Sequence, residues 1–139
     1  MATSIIDAPE SVKLDRANIV GVRPAYDGKQ IVCNGNITNA NYVLYTVPAD
    51  HILLLTFASV SINYAASLAN YGYMVFNVTP TAPNAYFAIS RTGLAKTSYL
   101  LTSTFVPPIQ FEAGGQIIID SQVANISVDG MIAGILMEV

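Results

Sequence analysis

Residues 51–62 read His51-Ile52-Leu53-Leu54-Leu55-Thr56-Phe57-Ala58-Ser59-Val60-Ser61-Ile62. Alternate positions are apolar, which is the period of a strand with one face buried. The apolar set changes parity partway along: Leu53, Leu55 and Phe57 give way to Ala58, Val60 and Ile62. A strand keeps a constant face only if its register is unbroken, so a bulge or bend is expected near Phe57 and Ala58. The same alternation recurs at Tyr73–Thr79, where Met74, Phe76 and Val78 point one way and Tyr73, Val75, Asn77 and Thr79 the other. Phe57, Phe76, Ile118 and Leu136 are the expected core positions.

Outward from these two stretches the chain continues as short β-like runs between turn residues. Strands are expected at 30–33, 41–47, 85–91, 98–106, 116–120, 124–128 and 131–139, and the intervening Asn34-Gly35, Pro48-Ala49-Asp50, Gly114-Gly115 and Asp129-Gly130 read as turns. Val, Ile and Thr are abundant and no helical periodicity is convincing; Ala65–Asn70 reads as a loop. Many short strands with regular turn signals predict an all-β protein, a single antiparallel β-sandwich of jelly-roll type spanning residues 30–139.

The first 29 residues differ. They hold Asp7, Glu10, Lys13, Asp15, Arg16, Arg23, Asp27 and Lys29, whereas Asp50 is the one formally charged residue between Gln30 and Ser90. Residues 1–29 are therefore expected to form an extended N-terminal arm, with one short strand around Asn18–Val22 and a turn at Asp27-Gly28. Charged, weakly periodic segments order against a partner rather than alone. Lys13, Arg16 and Arg23 are its candidate partner-binding cations.

Charged residues are only 11% of the chain, against about 25% in an average domain. A body with so little charge is poorly defended against association, so much of its surface is expected to be covered by copies of itself or by other partners. A net charge of −3 with six Lys and Arg argues against nucleic-acid binding, which needs a basic face. The apolar runs, such as Met131–Met137, are far shorter than the roughly 20 residues of a membrane-spanning helix. The start, MATSIIDAPESVKLDR, does not read as a secretory signal, and the expectation is a protein made in a cytosol.

The chemistry-bearing residues give no catalytic constellation. His51 is the single histidine, with Asp50 beside it, but neighbours on a strand point to opposite faces, so the pair does not make a triad. Cys33 is the single cysteine, which excludes an intrachain disulfide and a cysteine-based metal cluster. Glu112, Asp120, Asp129 and Glu138 are spread singly, without metal-ligand spacing, and Gly114-Gly115 has no following helix or lysine to make a phosphate loop. No enzyme activity, cofactor or metal is expected. Of the eight tyrosines, Tyr42, Tyr64, Tyr71, Tyr73 and Tyr86 lie near turns and form a candidate oligomer or ligand surface, since a phenol has an apolar body and a polar tip.

Two passages carry a family resemblance: Tyr45-Thr46-Val47-Pro48-Ala49 leading into the strand from His51, and Pro107-Pro108-Ile109-Gln110-Phe111-Glu112-Ala113-Gly114-Gly115-Gln116-Ile117-Ile118-Ile119. With the ending Val128–Val139 they cover about a third of the chain. They resemble the strand and turn passages of small β-sandwich accessory proteins of tailed-phage virions. The resemblance implies a jelly-roll capsid decoration or cement protein, a homotrimer seated on the major capsid protein, assembled in the host cytoplasm and residing in the virion. As an alternative, related domains occur in tails, collars and fibres as host-attachment or carbohydrate-binding heads.

Overall fold

The computed structural model describes residues 28–139. The arm expected at residues 1–29, its short strand, and Lys13, Arg16 and Arg23 lie almost entirely outside the described residues. Within them the chain forms eight strands: β1 (Lys29–Thr38), β2 (Ala40–Thr46), β3 (His51–Tyr64), β4 (Gly72–Asn77), β5 (Ala85–Ser90), β6 (Thr97–Phe111), β7 (Gln116–Ser121) and β8 (Ile126–Glu138). They make two four-stranded antiparallel sheets, ordered β1-β8-β3-β6 and β2-β7-β4-β5.

The pairings are nested. β1 pairs with β8, β2 with β7, β3 with β6 and β4 with β5. The chain is thus one long hairpin rolled over on itself, which is the topology of a jelly roll. The all-β sandwich read from the sequence is the observed fold, and Ala65–Asn70 is a loop.

The bulge falls one residue before its expected place. Between Leu55 and Phe57 the register of β3 shifts against both neighbours: against β8 Thr56 is the extra residue, whereas against β6 the surplus lies in β6, at residues 105–108. Its Oγ1 donates to the carbonyl oxygen of Ala133 at 3.1 Å. The shift lets Leu53 and Leu55 before it, and Ala58, Val60, Ile62 and Tyr64 after it, all enter the core. Facing them are Met74 and Phe76 from β4 and Ile117 and Ile119 from β7, with Ile126, Val128 and Ile132 contributed by β8. Phe111 lies 5.6 Å from Phe76 between ring centroids, and Phe76 is stacked on Phe87 at 5.0 Å.

Two expected turns are strand interior instead. Asn34-Gly35 lies within β1 and Asp129-Gly130 within β8, and their glycines are register partners, Gly35 opposite Gly130, with Asn34 opposite Met131 and Asn36 opposite Asp129. The glycines serve close approach between the sheets rather than chain reversal. A Cβ on Gly35 would lie 2.9 Å from the Tyr42 ring, and one on Gly130 would lie 2.8 Å from Met74 Cε. The reversal between β1 and β2 is made at Asn39, which has a φ of 53° and whose backbone N–H donates to Ser121 Oγ at 3.0 Å. Asp50, at φ 60°, closes the expected Pro48-Ala49-Asp50 turn, and Gly114, at φ 83°, the expected glycine turn.

The core assignments divide. Phe76 is buried, and Leu136 is packed against the core at its margin. Phe57 and Ile118 are only half-buried and stand outside the core cluster. Thr56 reverses the parity at Phe57, and in Ile117-Ile118-Ile119 the outer two residues, not the middle one, face inward.

Candidate functional site

Three of the five selected tyrosines converge on the outer face of the β2-β7-β4-β5 sheet. Tyr71 and Tyr73 are two residues apart and so share a face; their ring centroids lie 6.0 Å apart. Tyr86, from β5, meets the Tyr73 ring edge-on at 5.2 Å. Arg91 sets its guanidinium carbon 5.7 Å from the centre of the Tyr71 ring, within cation–π range.

A polar row runs across the strands beside these rings. Asp120 of β7 pairs in register with Tyr73 on one side and Asn41 on the other. The Tyr73 hydroxyl donates to Asp120 Oδ2 at 3.2 Å, and Asn41 Nδ2 donates to the same oxygen at 3.0 Å. Burial, then the charge of Asp120 and its hydrogen bond, then the neighbouring Tyr86 and Tyr71, push the Tyr73 phenol up to about 12. The phenol therefore stays a donor at any physiological pH. The patch offers aromatic area, one carboxylate and one guanidinium, a composition suited to stacking and hydrogen bonding of a neutral polar partner.

In an absorbance titration Tyr73 is expected to ionise near 12. Replacing Asp120 by Asn should lower that value without restoring the ordinary tyrosine value of about 10, because burial remains. The folded-state value is raised, so the associated stability is fully present below about pH 10 and is lost as pH rises through about 12. A midpoint unmoved by Asp120→Asn would show that the carboxylate does not act on this phenol.

The other two tyrosines sit elsewhere. Tyr64 is 3% exposed and belongs to the core. It follows the inward parity of Val60 and Ile62, donates to the Asn70 carbonyl oxygen at 3.1 Å, and lies 2.9 Å from Ser90 Oγ. It is not a surface residue. Tyr42 is exposed on β2, with its ring beside Gly35 at the rim between the sheets.

The outer face of the β1-β8-β3-β6 sheet is the second notable surface. Asn36 and Asn63 both donate side-chain amide hydrogens to the Asp129 carboxylate, from strands on either side of it. Asn63 Oδ1 in turn accepts from Ser61 at 3.1 Å and from Ser98 at 2.6 Å. Ser59 and Thr102 are 3.2 Å apart in the next row. This seam crosses all four strands and engages both oxygens of Asp129. On the same face Val32, Leu100 and Met131 are exposed apolar side chains, and Val106, in the part of β6 that has no partner in β3, is 89% exposed.

His51 stands at the start of β3, with Nδ1 2.8 Å from the Ala49 carbonyl oxygen, a contact in which that nitrogen must carry the proton. Cys33 is partly buried on β1, and desolvation pushes its thiol up, away from the reactive thiolate. Among the described residues no group of three or more His, Cys, Asp or Glu is placed to hold a metal ion, and no helix is long and apolar enough to cross a membrane.

No protein-family model matches the sequence, and comparison with curated proteins gives no match. Among solved structures, the fold is similar to a pentameric capsid protein isolated from metagenomic phage sequences, at 14% identity and a TM-score of 0.47, over 75% of this chain. This chain spans 61% of the length of that protein. It is also similar to the SPBc2 prophage-derived protein YomS, at 9% identity and a TM-score of 0.38, over 79% of this chain and 99% of that one. A third likeness is to PirA, at 8% identity and a TM-score of 0.33, over 81% of this chain and 98% of that one. Likenesses at these identities and scores assign no family.

Asp120, Asn41 and Arg91 were not selected from the sequence. Only strand register brings them to the tyrosines, and the sole sequence signal was that each is a polar residue near the start or end of an apolar run.

Proposed function

We propose that this chain is a non-catalytic structural protein of a phage virion, a capsid decoration or cement protein that acts by adhesion. It works as a homo-oligomer, with the trimer as the expected state, bound to the major capsid protein. The observation that carries this reading is the β1-β8-β3-β6 outer face, where exposed Val32, Leu100 and Met131 accompany a polar seam whose carboxylate is already engaged. Such a face has little charge to keep copies apart and ample area for contact. The sequence resemblance to tailed-phage accessory proteins supports the virion as the setting. Weak contacts, repeated over many copies clamped across a lattice, add up through multivalency and oppose internal pressure.

The second reading, a host-attachment or carbohydrate-binding head of a tail, collar or fibre, is favoured by the Tyr71, Tyr73 and Tyr86 cluster beside Asp120.

The test is co-sedimentation with particles that lack this protein, using the full chain and a chain without residues 1–29, at low and high salt. The full chain is expected to bind, more weakly in high salt, and the shortened chain to stay in solution, since the arm holds most of the cations. Equal, salt-independent binding of both forms would place the contact on the β body. Failure of both to bind, together with capture of a glycan that Tyr86→Ala abolishes, would replace the decoration reading by the attachment reading.

A further inference from the structure

β6 is a sheet edge. Among the described residues β3 is its one strand neighbour, so alternate backbone N–H and C=O groups of β6 point away from the sheet with no strand to receive them. From Thr97 to Thr104 the strand is regular, paired without a break against Tyr64 to Phe57. Beyond Thr104 the register jumps to Ile109, and the skipped residues include Pro107 and Pro108, which have no N–H to offer. The usable edge is therefore Thr97–Thr104.

Natural proteins blunt open edges with charge, proline, bulges or brevity. This one has none of these over eight residues reading Thr-Ser-Tyr-Leu-Leu-Thr-Ser-Thr. Leu100, at its middle, is 66% exposed. The β1 edge is a poorer template, since it opens on Lys29 and carries Asn34, Gly35 and Asn36 at its centre.

The segment also has an approximate two-fold symmetry about Leu100. Read outward in both directions, Tyr99 answers Leu101, Ser98 answers Thr102 and Thr97 answers Ser103. We propose that this edge is a two-fold contact with a second copy of the chain, β6 lying antiparallel to β6 and centred on Leu100, so that two four-stranded sheets become one of eight. An antiparallel ladder places opposed side chains on the same face, which requires the paired numbers to share parity, and every pair here does. Apolar then meets apolar and hydroxyl meets hydroxyl, with Leu100 opposite its own copy on the outer face and Tyr99 opposite Leu101 on the inner. A register centred on Leu101 would instead set the exposed Leu100 against Thr102. Self-complementarity of this kind is what an isologous interface needs and what a different partner does not. The contact rests on the homo-oligomer part of the proposed function and not on the virion; it pairs whatever assembly other surfaces make, so that the proposed trimer becomes a pair of trimers with an even number of chains.

The experiment is the solution mass of the full chain, by sedimentation, for the wild type and for Leu100→Lys, Leu100→Glu and their equimolar mixture. Leu100 is exposed, so both variants are expected to fold, which circular dichroism checks. Each variant alone puts two like charges opposite each other at the axis, and the mass should fall to half. The mixture sets opposite charges face to face and should restore the wild-type mass. Gln30→Lys, on the β1 edge and outside the apolar face, should leave the mass unchanged. An odd-numbered wild-type assembly, variants that keep the wild-type mass, a mixture that stays at half mass, or halving by Gln30→Lys alone would each overturn the contact. Failure to bind particles with the mass pattern intact would remove the decoration reading and leave this contact standing.

Discussion

Phe111→Ala is expected to cost about 3–5 kcal/mol, the range for truncating a fully buried aromatic. Phe111 is 0% exposed, pairs with Leu53 at the end of β6, and meets Phe76 edge to face. Removing its ring deletes one wall of the group formed by Phe76, Phe87 and Phe105, whose rings are held by contact with one another. The strands around the gap are locked in ladder pairs, so the site has little freedom to collapse. Against an ordinary stability of about 5–15 kcal/mol, this loss leaves a marginal domain. Phe57→Ala removes the same atoms from a half-buried outer position and should cost under about 2 kcal/mol. Urea denaturation of the two variants with matched slopes checks the difference. Equal losses would mean that the faces of β3 after Thr56 are assigned the wrong way round.

The comparison of Phe111 with Phe57 marks where local pattern stops being informative. Alternation and turn residues make the strands of this chain visible, because the period of two and the turn chemistry act over a few neighbouring residues. The parity change in the β3 stretch likewise announces a bulge. Which side of Thr56 the bulge begins on is decided by β6 and β8, which are far away in sequence, so Phe57 was placed in the core and lies outside it. Ile117-Ile118-Ile119 fails for a related reason: three identical side chains carry no alternation, and the sheet opposite selects the first and third. Asn34-Gly35 and Asp129-Gly130 have the composition of hairpin turns, yet each glycine is there because the facing sheet comes too close for a Cβ. A turn glycine and a close-approach glycine look the same in one sequence.

The candidate site was legible in part. Tyrosines near turns point to a surface, and Tyr71, Tyr73 and Tyr86 lie in contact with one another on one sheet face. Tyr64 lies near a turn as they do, but the parity that Thr56 sets carries it inward to Asn70 and Ser90. Asp120 and Asn41 join the tyrosines across β7 and β2, through pairings that span tens of residues. The scarcity of charge, by contrast, is a property of composition, and it carries directly into the sparsely charged faces of both sheets.

That scarcity gives the second large expected effect: the β body should assemble without the arm. Among the described residues the eight strands and the core cluster lie within residues 29–138, so the β body is expected to fold without the preceding segment. The exposed apolar side chains, the Asp129 seam and the open β6 edge also lie there, and the only formal charge among them is Asp129, whose two oxygens are already engaged by Asn36 and Asn63. Contacts of this kind are driven by apolar area and hydrogen bonding and are therefore insensitive to salt. The most direct measurement is the solution mass, at micromolar concentration and at both low and high salt, of a chain beginning at Gln30. A stable oligomer of the same size in both is the expected result; a monodisperse monomer would contradict the claim that this protein works through association of its neutral β body.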